Sequence, residues 1–280
     1  IMAFIHMNLI STALMRTVPV NVIIPADKPD FPGIPKRENK PYKTLYLLHG
    51  VLGSYVDWVN GTRIQRFAEM NDLVVVMPSG ENSFYVDMPN GSDNYGDFIG
   101  RELVELTRKI FPLSHKREDT FIGGLSMGGY GAIRNGLKYH DTFGYIIGLS
   151  SALITEDMAK RKENDEVMFY ETKAFGERCF GDLEELLNSD MDPKYLVRKL
   201  KEENIDFPKF YMACGLQDGL LPKSDEFAAF LKENGIDVTY ETGPGAHEWD
   251  FWNRYIKKVL DWLPLDKDSK EGMNSGNVGL

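Results

Sequence analysis

The stretch Gly124-Leu125-Ser126-Met127-Gly128 holds one hydroxyl between two glycines, each two residues from it. The run before it, Asp119 to Ile122, is short, β-branched and aromatic, and the run from Tyr130 to His140 has helical composition. G-x-S-x-G between a strand and a helix is the pattern of a nucleophilic serine held on a sharp turn. Side chains at 124 and 128 would collide across so tight a turn, so glycine is required there. Gly129 and Gly131 let the following helix approach neighbouring strands. The Ser126 hydroxyl then stands above the carboxyl edge of a sheet, at a helix N-terminus, where the helix dipole favours negative charge developing on a bound substrate.

A serine hydroxyl is a poor nucleophile at neutral pH and needs a base. The chain offers five histidines. His6 lies in an N-terminal strand pattern, His49 ends a strand before Gly50, His115 precedes a strand and His140 ends a helix. His247, in GPGAHEWDFW, follows the last strand pattern and precedes the last helix, so its loop faces the serine. The base needs a carboxylate to hold its tautomer and stabilise the imidazolium. The chain order for this arrangement is Ser, Asp or Glu, His. Asp218, in GLQDGLLP after the strand pattern FPKFYMACG, is the first choice. Asp225, in the first turn of a helix, and Asp237, at the start of a strand on the far side, are its rivals.

The oxyanion of an acyl-transfer intermediate needs two backbone N–H donors. One is expected from Met127 and the other from the loop after LYLLHG, where Val51 is the first choice and Leu52 the second. His49 in that loop is expected to hydrogen-bond structurally. Trp58, Phe84 and Tyr85 fall in loops at the same edge, and with Tyr130 they are candidates to line a substrate pocket. No His, Cys, Asp or Glu grouping has metal-ligand spacing, so no metal is expected.

These residues must be positioned by a fold. With 280 residues the chain is long enough to bury a sizeable core. Residues 4–12 and 18–25 read as antiparallel strands, with Ile5, Met7 and Leu9 alternating against His6 and Asn8. Residues 43–50 and 72–80 are near-continuous apolar strands of the kind buried on both faces. Further strands are predicted at 119–126, 143–153, 207–215 and 236–243. Helices are predicted at 100–112, with Leu103, Leu106 and Ile110 on one face, and at 129–140. Three more are predicted at 192–204, capped by Asp192 with Pro193 first, at 224–235, capped by Ser224 with Gly235 at the stop, and at 248–264. The last carries Trp249, Trp252, Ile256, Val259 and Leu263 along one stripe.

Alternation of strands and helices from residue 44 onward predicts an α/β fold, a mostly parallel sheet with helices on both faces and antiparallel strands at the N-terminal edge. Residues 1–265 are expected to form a single domain. The charged segment 153–205 breaks the rhythm and reads as a cap-like helical insertion near the serine. Residues 26–42 read as an exposed loop, and the polar tail 266–280 as disordered.

The formal net charge of −10 argues against nucleic acid and anionic membrane surfaces as partners. Cys179 and Cys214 show no Cys-x-x-Cys spacing and read as reduced thiols of a cytoplasmic protein. The N-terminal apolar run lacks a basic leader and is broken by His6, Asn8, Ser11 and Thr12, and no stretch approaches a membrane span. A homo-oligomer is compatible with the sequence, which does not fix the oligomeric state.

The motifs LYLLHGVLGSYVDWV, FIGGLSMGGYGA, CGLQDGLL and GAHEWDFW, in that order, resemble the esterase D-type family of α/β-hydrolases, and within it the bacterial tributyrin or short-chain acyl esterases. The resemblance covers roughly residues 3–264. It implies an α/β-hydrolase fold without metal or organic cofactor, a Ser126, Asp218 and His247 triad, and a small-molecule ester as substrate. Relatives in that family include S-formylglutathione hydrolases, feruloyl or carbohydrate acetyl esterases and mycolyl-type acyltransferases. The thiol-bearing HG-L-T-C start of the S-formylglutathione branch is replaced here by HGVLGSYVDW.

Overall fold

The central strands are uniformly apolar: Thr44–Leu48, Val74–Pro78 and Thr120–Leu125 are buried at every position. Strands of that kind need cover on both faces. The computed structural model describes residues 3–27, 39–88, 91 and 93–265, so the predicted tail and most of the loop 26–42 lie outside the described residues. In chain order the elements are β1 (Ala3–Ser11), β2 (Arg16–Ile24), β3 (Thr44–Leu48), α1 (Asp57–Gly61), α2 (Ile64–Met70), β4 (Val74–Pro78), α3 (Tyr95–Asp97), α4 (Leu103–Ile110), β5 (Thr120–Leu125), α5 (Met127–Lys138) and β6 (Tyr145–Leu149). They continue with α6 (Thr155–Met158), α7 (Lys173–Phe180), α8 (Pro193–Glu202), β7 (Lys209–Gly215), α9 (Leu221–Glu233), β8 (Val238–Gly243) and α10 (Trp249–Trp262).

The sheet has eight strands in the order β1-β2-β4-β3-β5-β6-β7-β8. The β1–β2 and β2–β4 pairs are antiparallel and every other pair is parallel, as expected. Successive side chains of a strand point to opposite faces, and β5 shows the result. Ile122 joins Ile133 and Leu137 of α5 in one core, while Phe121 joins Ile256 and Val259 of α10 in the other. Parallel register aligns Leu48 with Gly124 and Gly124 with Gly148. The loops after β3, β5 and β6 therefore leave the sheet side by side.

Two local expectations change. Helix α9 starts at Leu221, with Pro222 in its first turn, so Ser224 lies inside the helix with its N–H on the Leu220 carbonyl. Proline's fixed φ favours the start at the first turn over a later serine cap. Helix α4 is entered earlier, through α3 and a π turn over Phe98–Glu102. That shift turns Val104 and Thr107 inward with Leu103 and leaves Ile110 half exposed. Asp192 does cap α8, accepting the Tyr195 N–H at 3.1 Å ahead of Pro193.

Both cysteines are free and buried. No helix among the described residues is long and apolar enough to cross a membrane. Between β6 and β7 the chain forms α6, α7 and α8 where a single crossover helix would close the βαβ unit.

Glu102 fastens the β1–β2 hairpin to the body. Its carboxylate accepts from the Ser11 hydroxyl, the Thr12 N–H at 2.7 Å, the Thr12 hydroxyl at 2.6 Å and the Ala13 N–H at 3.4 Å. Burial pushes the carboxyl up, but these hydrogen bonds outweigh it and hold it below its ordinary value. A depressed carboxyl contributes stability above the unfolded-chain value and loses it as pH falls toward the folded one. Glu102→Gln should lower the unfolding free energy at pH 7 by about 1–3 kcal/mol. The gap to wild type should narrow in urea titrations below about pH 4. A gap independent of pH would contradict the ionic role.

Candidate active site

Ser126 occupies the turn between β5 and α5 at φ 55° and ψ −121°. This region is sparsely populated and is kept only where surrounding contacts impose it. Its N–H donates to the Leu149 carbonyl of β6 at 2.9 Å, and its own carbonyl accepts from Tyr130 and Ala152. Crowding explains the flanking glycines. A Cβ on Gly124 would lie 2.3 Å from the Gly128 carbonyl oxygen, and one on Gly128 would lie 2.4 Å from that of Leu48.

The structure brings Ser126, His247 and Asp218 together. His247, in the loop between β8 and α10, places Nε2 3.0 Å from Ser126 Oγ and Nδ1 2.9 Å from Asp218 Oδ2. Asp218, in the loop after β7, also accepts the Leu220 N–H on Oδ1 at 2.9 Å. The rivals are elsewhere. Asp225 accepts the Tyr240 hydroxyl at 2.7 Å, and Asp237 precedes β8 at the opposite end of the strand from His247. Burial pushes the Asp218 carboxyl up, yet hydrogen bonds from His247, Leu220 N–H and the Ser150 hydroxyl bring it below its ordinary value. Asp218 is thus a buried, ionised acceptor, while the His247 side chain is 38% exposed. Such an arrangement can pass a proton from the serine to the imidazole and hold the resulting charge.

Two residues of this cluster were not singled out from sequence. Ser150, at φ 47° after β6, accepts the Trp252 Nε1–H at 3.1 Å. Its one hydroxyl hydrogen is then free for Asp218. Trp252 also stands edge-on to the His247 ring, with centroids 4.9 Å apart. The serine pair at the carboxyl end of β6 was the available signal for Ser150. Trp252 was counted only in the core stripe of α10.

At the end of β3, His49 is buried with Nδ1–H on the Gly50 carbonyl at 2.7 Å and Nε2 accepting the Gly80 N–H at 2.8 Å. Burial pushes its pKa down, and one donor with one acceptor is the pattern of a neutral imidazole. It is structural, as expected. Gly50 abuts Ser126: a Cβ there would lie 3.3 Å from Ser126 Cβ. The N–H groups of Val51 and Met127 have no acceptor among the described residues. Leu52 differs, because its N–H already donates to Asn82 Oδ1 at 2.7 Å.

The four aromatic pocket candidates are at most 3% exposed. Trp58 Nε1–H donates to the Leu48 carbonyl at 2.9 Å and the Tyr85 hydroxyl to the His49 carbonyl at 3.0 Å. Both brace the end of β3 from inside. Phe84 and Tyr130 pack edge-on against each other and at steep angles against Phe180 of α7, and the Tyr130 hydroxyl donates to the Met191 carbonyl. These rings support the loops of the site and do not form an open wall. Large aromatics find more area to bury beneath a loop than on its rim.

Gly128→Ala tests the packing. Its methyl would meet a backbone oxygen that cannot rotate away, so β3 and α5 must part. Stability should fall by about 1–3 kcal/mol, with esterase activity lost more than stability because Ser126 and the Gly50 loop separate. Thermal melting and ester turnover at a temperature where the variant is folded would check this, and unaltered values would contradict the contact.

Comparison with known proteins identifies the family. Residues 11–263 match the Putative esterase family. An acetyl esterase of Caldicellulosiruptor saccharolyticus is 47% identical over 267 residues, covering 95% of this chain and 100% of that protein. The S-formylglutathione hydrolase FrmB of Staphylococcus aureus, solved as apoenzyme, superposes with a TM-score of 0.79 at 33% identity, covering 94% of this chain and 99% of that one. The fluorophosphonate-binding serine hydrolase FphF of the same organism, solved with substrate bound, gives 0.81 at 33% identity, covering 94% and 98%. With the family match spanning nearly all described residues and the fold superposing on such hydrolases over almost the whole chain, this chain belongs to the Putative esterase family and is a carboxylic ester hydrolase of α/β-hydrolase fold.

Proposed function

We propose that the enzyme is a serine carboxylesterase for short acyl esters, acetyl to butyryl, with Ser126, His247 and Asp218 as its triad. The observation that carries this reading is the continuous pair of hydrogen bonds from Ser126 Oγ through His247 to Asp218. Ser126 Oγ attacks the ester carbonyl as His247 Nε2 takes its proton. The oxyanion rests on the Met127 and Val51 N–H groups, with the N-terminus of α5 adding its dipole. His247 returns the proton to the departing alcohol and leaves an acyl-enzyme. It then deprotonates a water, which releases the acid, and the proton goes back to Ser126. Asp218 stays ionised and keeps the Nδ1–H tautomer.

The short-chain reading is supported by the relative named an acetyl esterase and by the segment 153–205, which acts as a cap. Phe84, Tyr130, Phe175 and Phe180 pack ring to ring where α7 meets α5, so the space beneath the cap is already filled. The cap is rich in Lys and Glu and lacks the broad apolar helix face of a lid for oil surfaces. Two free buried thiols fit a cytoplasmic setting.

Ser126→Ala and His247→Ala should each leave a folded protein with turnover reduced by about 10³-fold or more. Residual activity within about tenfold of wild type would refute the triad.

Acyl length is tested with nitrophenyl esters from acetyl to decanoyl, read as kcat/KM. Each methylene that fits adds about 0.8 kcal/mol of burial, and each that overfills costs about 1–3 kcal/mol. The profile should rise from acetyl and break sharply by about six to eight carbons. A maximum at decanoyl would refute the short-chain reading. S-formylglutathione belongs in the same panel, because the FrmB relative carries that name. Its hydrolysis far above butyryl turnover would move the substrate class to that thioester.

A further inference from the structure

Two hydrogen bonds hold the His247 imidazole in its own plane, Nε2 to Ser126 Oγ at 3.0 Å and Nδ1 to Asp218 Oδ2 at 2.9 Å. They leave its tilt loose, because rotation of a histidine ring about Cβ–Cγ is broad and a hydrogen bond weakens steeply only below about 120°. His247 lies in a loop with its side chain partly exposed. The ring that meets it is Trp252, perpendicular to it with centroids 4.9 Å apart.

Trp252 is itself fixed at both ends. Its Nε1–H donates to Ser150 Oγ at 3.1 Å, and its ring stands edge-on to Trp249, with centroids 5.1 Å apart. Trp249 in turn stands edge-on to Trp58 at 5.8 Å, and the Trp58 indole N–H is on the Leu48 carbonyl. A Cβ on Gly61 would lie 2.3 Å from the Trp249 ring, so the end of α1 grips that ring as well. Three indoles thus form a ladder from the end of β3 to the imidazole, each step in the perpendicular geometry that aromatic pairs favour.

The indole N–H also orders a hydroxyl. Ser150 is fully buried, and its N–H on the Ala213 carbonyl at 2.8 Å ties it to β7. A hydroxyl has one hydrogen. With Oγ accepting from Trp252, that hydrogen points away from the indole, and Ser150 is among the donors to Asp218. Its other neighbour is the buried Cys214 thiol, and sulfur is a weaker acceptor than an ionised carboxylate.

We propose that Trp252 is a positioning residue for the base and its acid together: its ring fixes the tilt of the His247 imidazole, and its N–H turns the Ser150 hydroxyl toward Asp218. Both residues act through His247 and Asp218, not on the substrate. This rests on the reading of Ser126, His247 and Asp218 as the triad.

Three variants separate the contacts. Ser150→Ala removes the hydroxyl, Trp252→Phe keeps a ring and removes the N–H, and Trp252→Leu removes both. Turnover is read per active serine, counted by fluorophosphonate labelling to completion, at a temperature where each variant is folded. Ser150→Ala should lower kcat for acetyl and butyryl esters by about threefold or more, the worth of one hydrogen bond. KM should stay within about twofold, because the interaction serves the transition state. Adding Trp252→Phe to Ser150→Ala should cost nothing further, since both break one chain. Trp252→Leu should lose more than Trp252→Phe, because the ring contact goes too. Residues that only hold the fold would lower the melting temperature and leave kcat per active serine unaltered. The proposal is overturned if Ser150→Ala loses less than about threefold, whether or not the tryptophan variants fold. It is equally overturned if the Ser150→Ala and Trp252→Phe losses multiply in the double variant, or if Trp252→Leu loses no more than Trp252→Phe. His247→Ala run alongside keeps the readings apart: retained activity there would sink the triad itself, independently of Trp252.

Discussion

The backbone at Ser126, at φ 55° and ψ −121°, lies where an L-residue pays on the order of 1–3 kcal/mol. The fold imposes it from three sides. Strand β6 holds the Ser126 N–H through Leu149, the chain after β6 holds its carbonyl through Ala152, and the carbonyls at the end of β3 press on Gly128. Each contact comes from a neighbouring strand of the same parallel sheet. The strained turn, the loop of Val51 and the loop of Ser150 are therefore consequences of one register, Leu48 beside Gly124 beside Gly148.

Around that turn the electrostatics divide by depth. Asp218 lies under the surface with several donors, so its charge is fixed and dry. The His247 side chain is 38% exposed. Ser126 is 7% exposed. The chain Trp252, Ser150, Asp218 and His247 runs from the α10 core to the Ser126 hydroxyl, so the packing of one helix orients the imidazole twice, by ring contact and by hydrogen bond.

The segment between α7 and α8 is joined to α5 by a further polar device. Arg134 of α5 is fully buried, with Nη2 on Asp190 Oδ1 and Nε on the Asp190 carbonyl, both at 3.0 Å. Asp87 and Lys138 complete the cluster. Buried ion pairs add little net stability over an apolar replacement, but removing one partner is costly because it strands a charge. Their value here is alignment: they set where the segment after α7 lies on α5.

Much of this was legible in order and spacing. G-x-S-x-G between strand and helix pointed to Ser126, and strand-end positions pointed to Asp218 and His247 ahead of Asp225, Asp237 and four other histidines; the structure brings these three side chains within hydrogen-bond distance. That proximity was legible because a parallel α/β sheet sends the carboxyl ends of its parallel strands to one edge, so one-dimensional order predicts proximity. Local rules failed where two adequate signals competed, as with Pro222 and Ser224 at the start of α9. Only the tertiary structure decided that Trp58, Phe84, Tyr85 and Tyr130 lie beneath the site, and that the Leu52 N–H is taken while that of Val51 has no acceptor among the described residues. Those outcomes depend on how the loops after β3 and β4 fold over each other, through a bond between residues 30 apart in sequence. Neither backbone propensity nor hydrophobic period carries information about which of two adjacent peptide groups such a contact will claim.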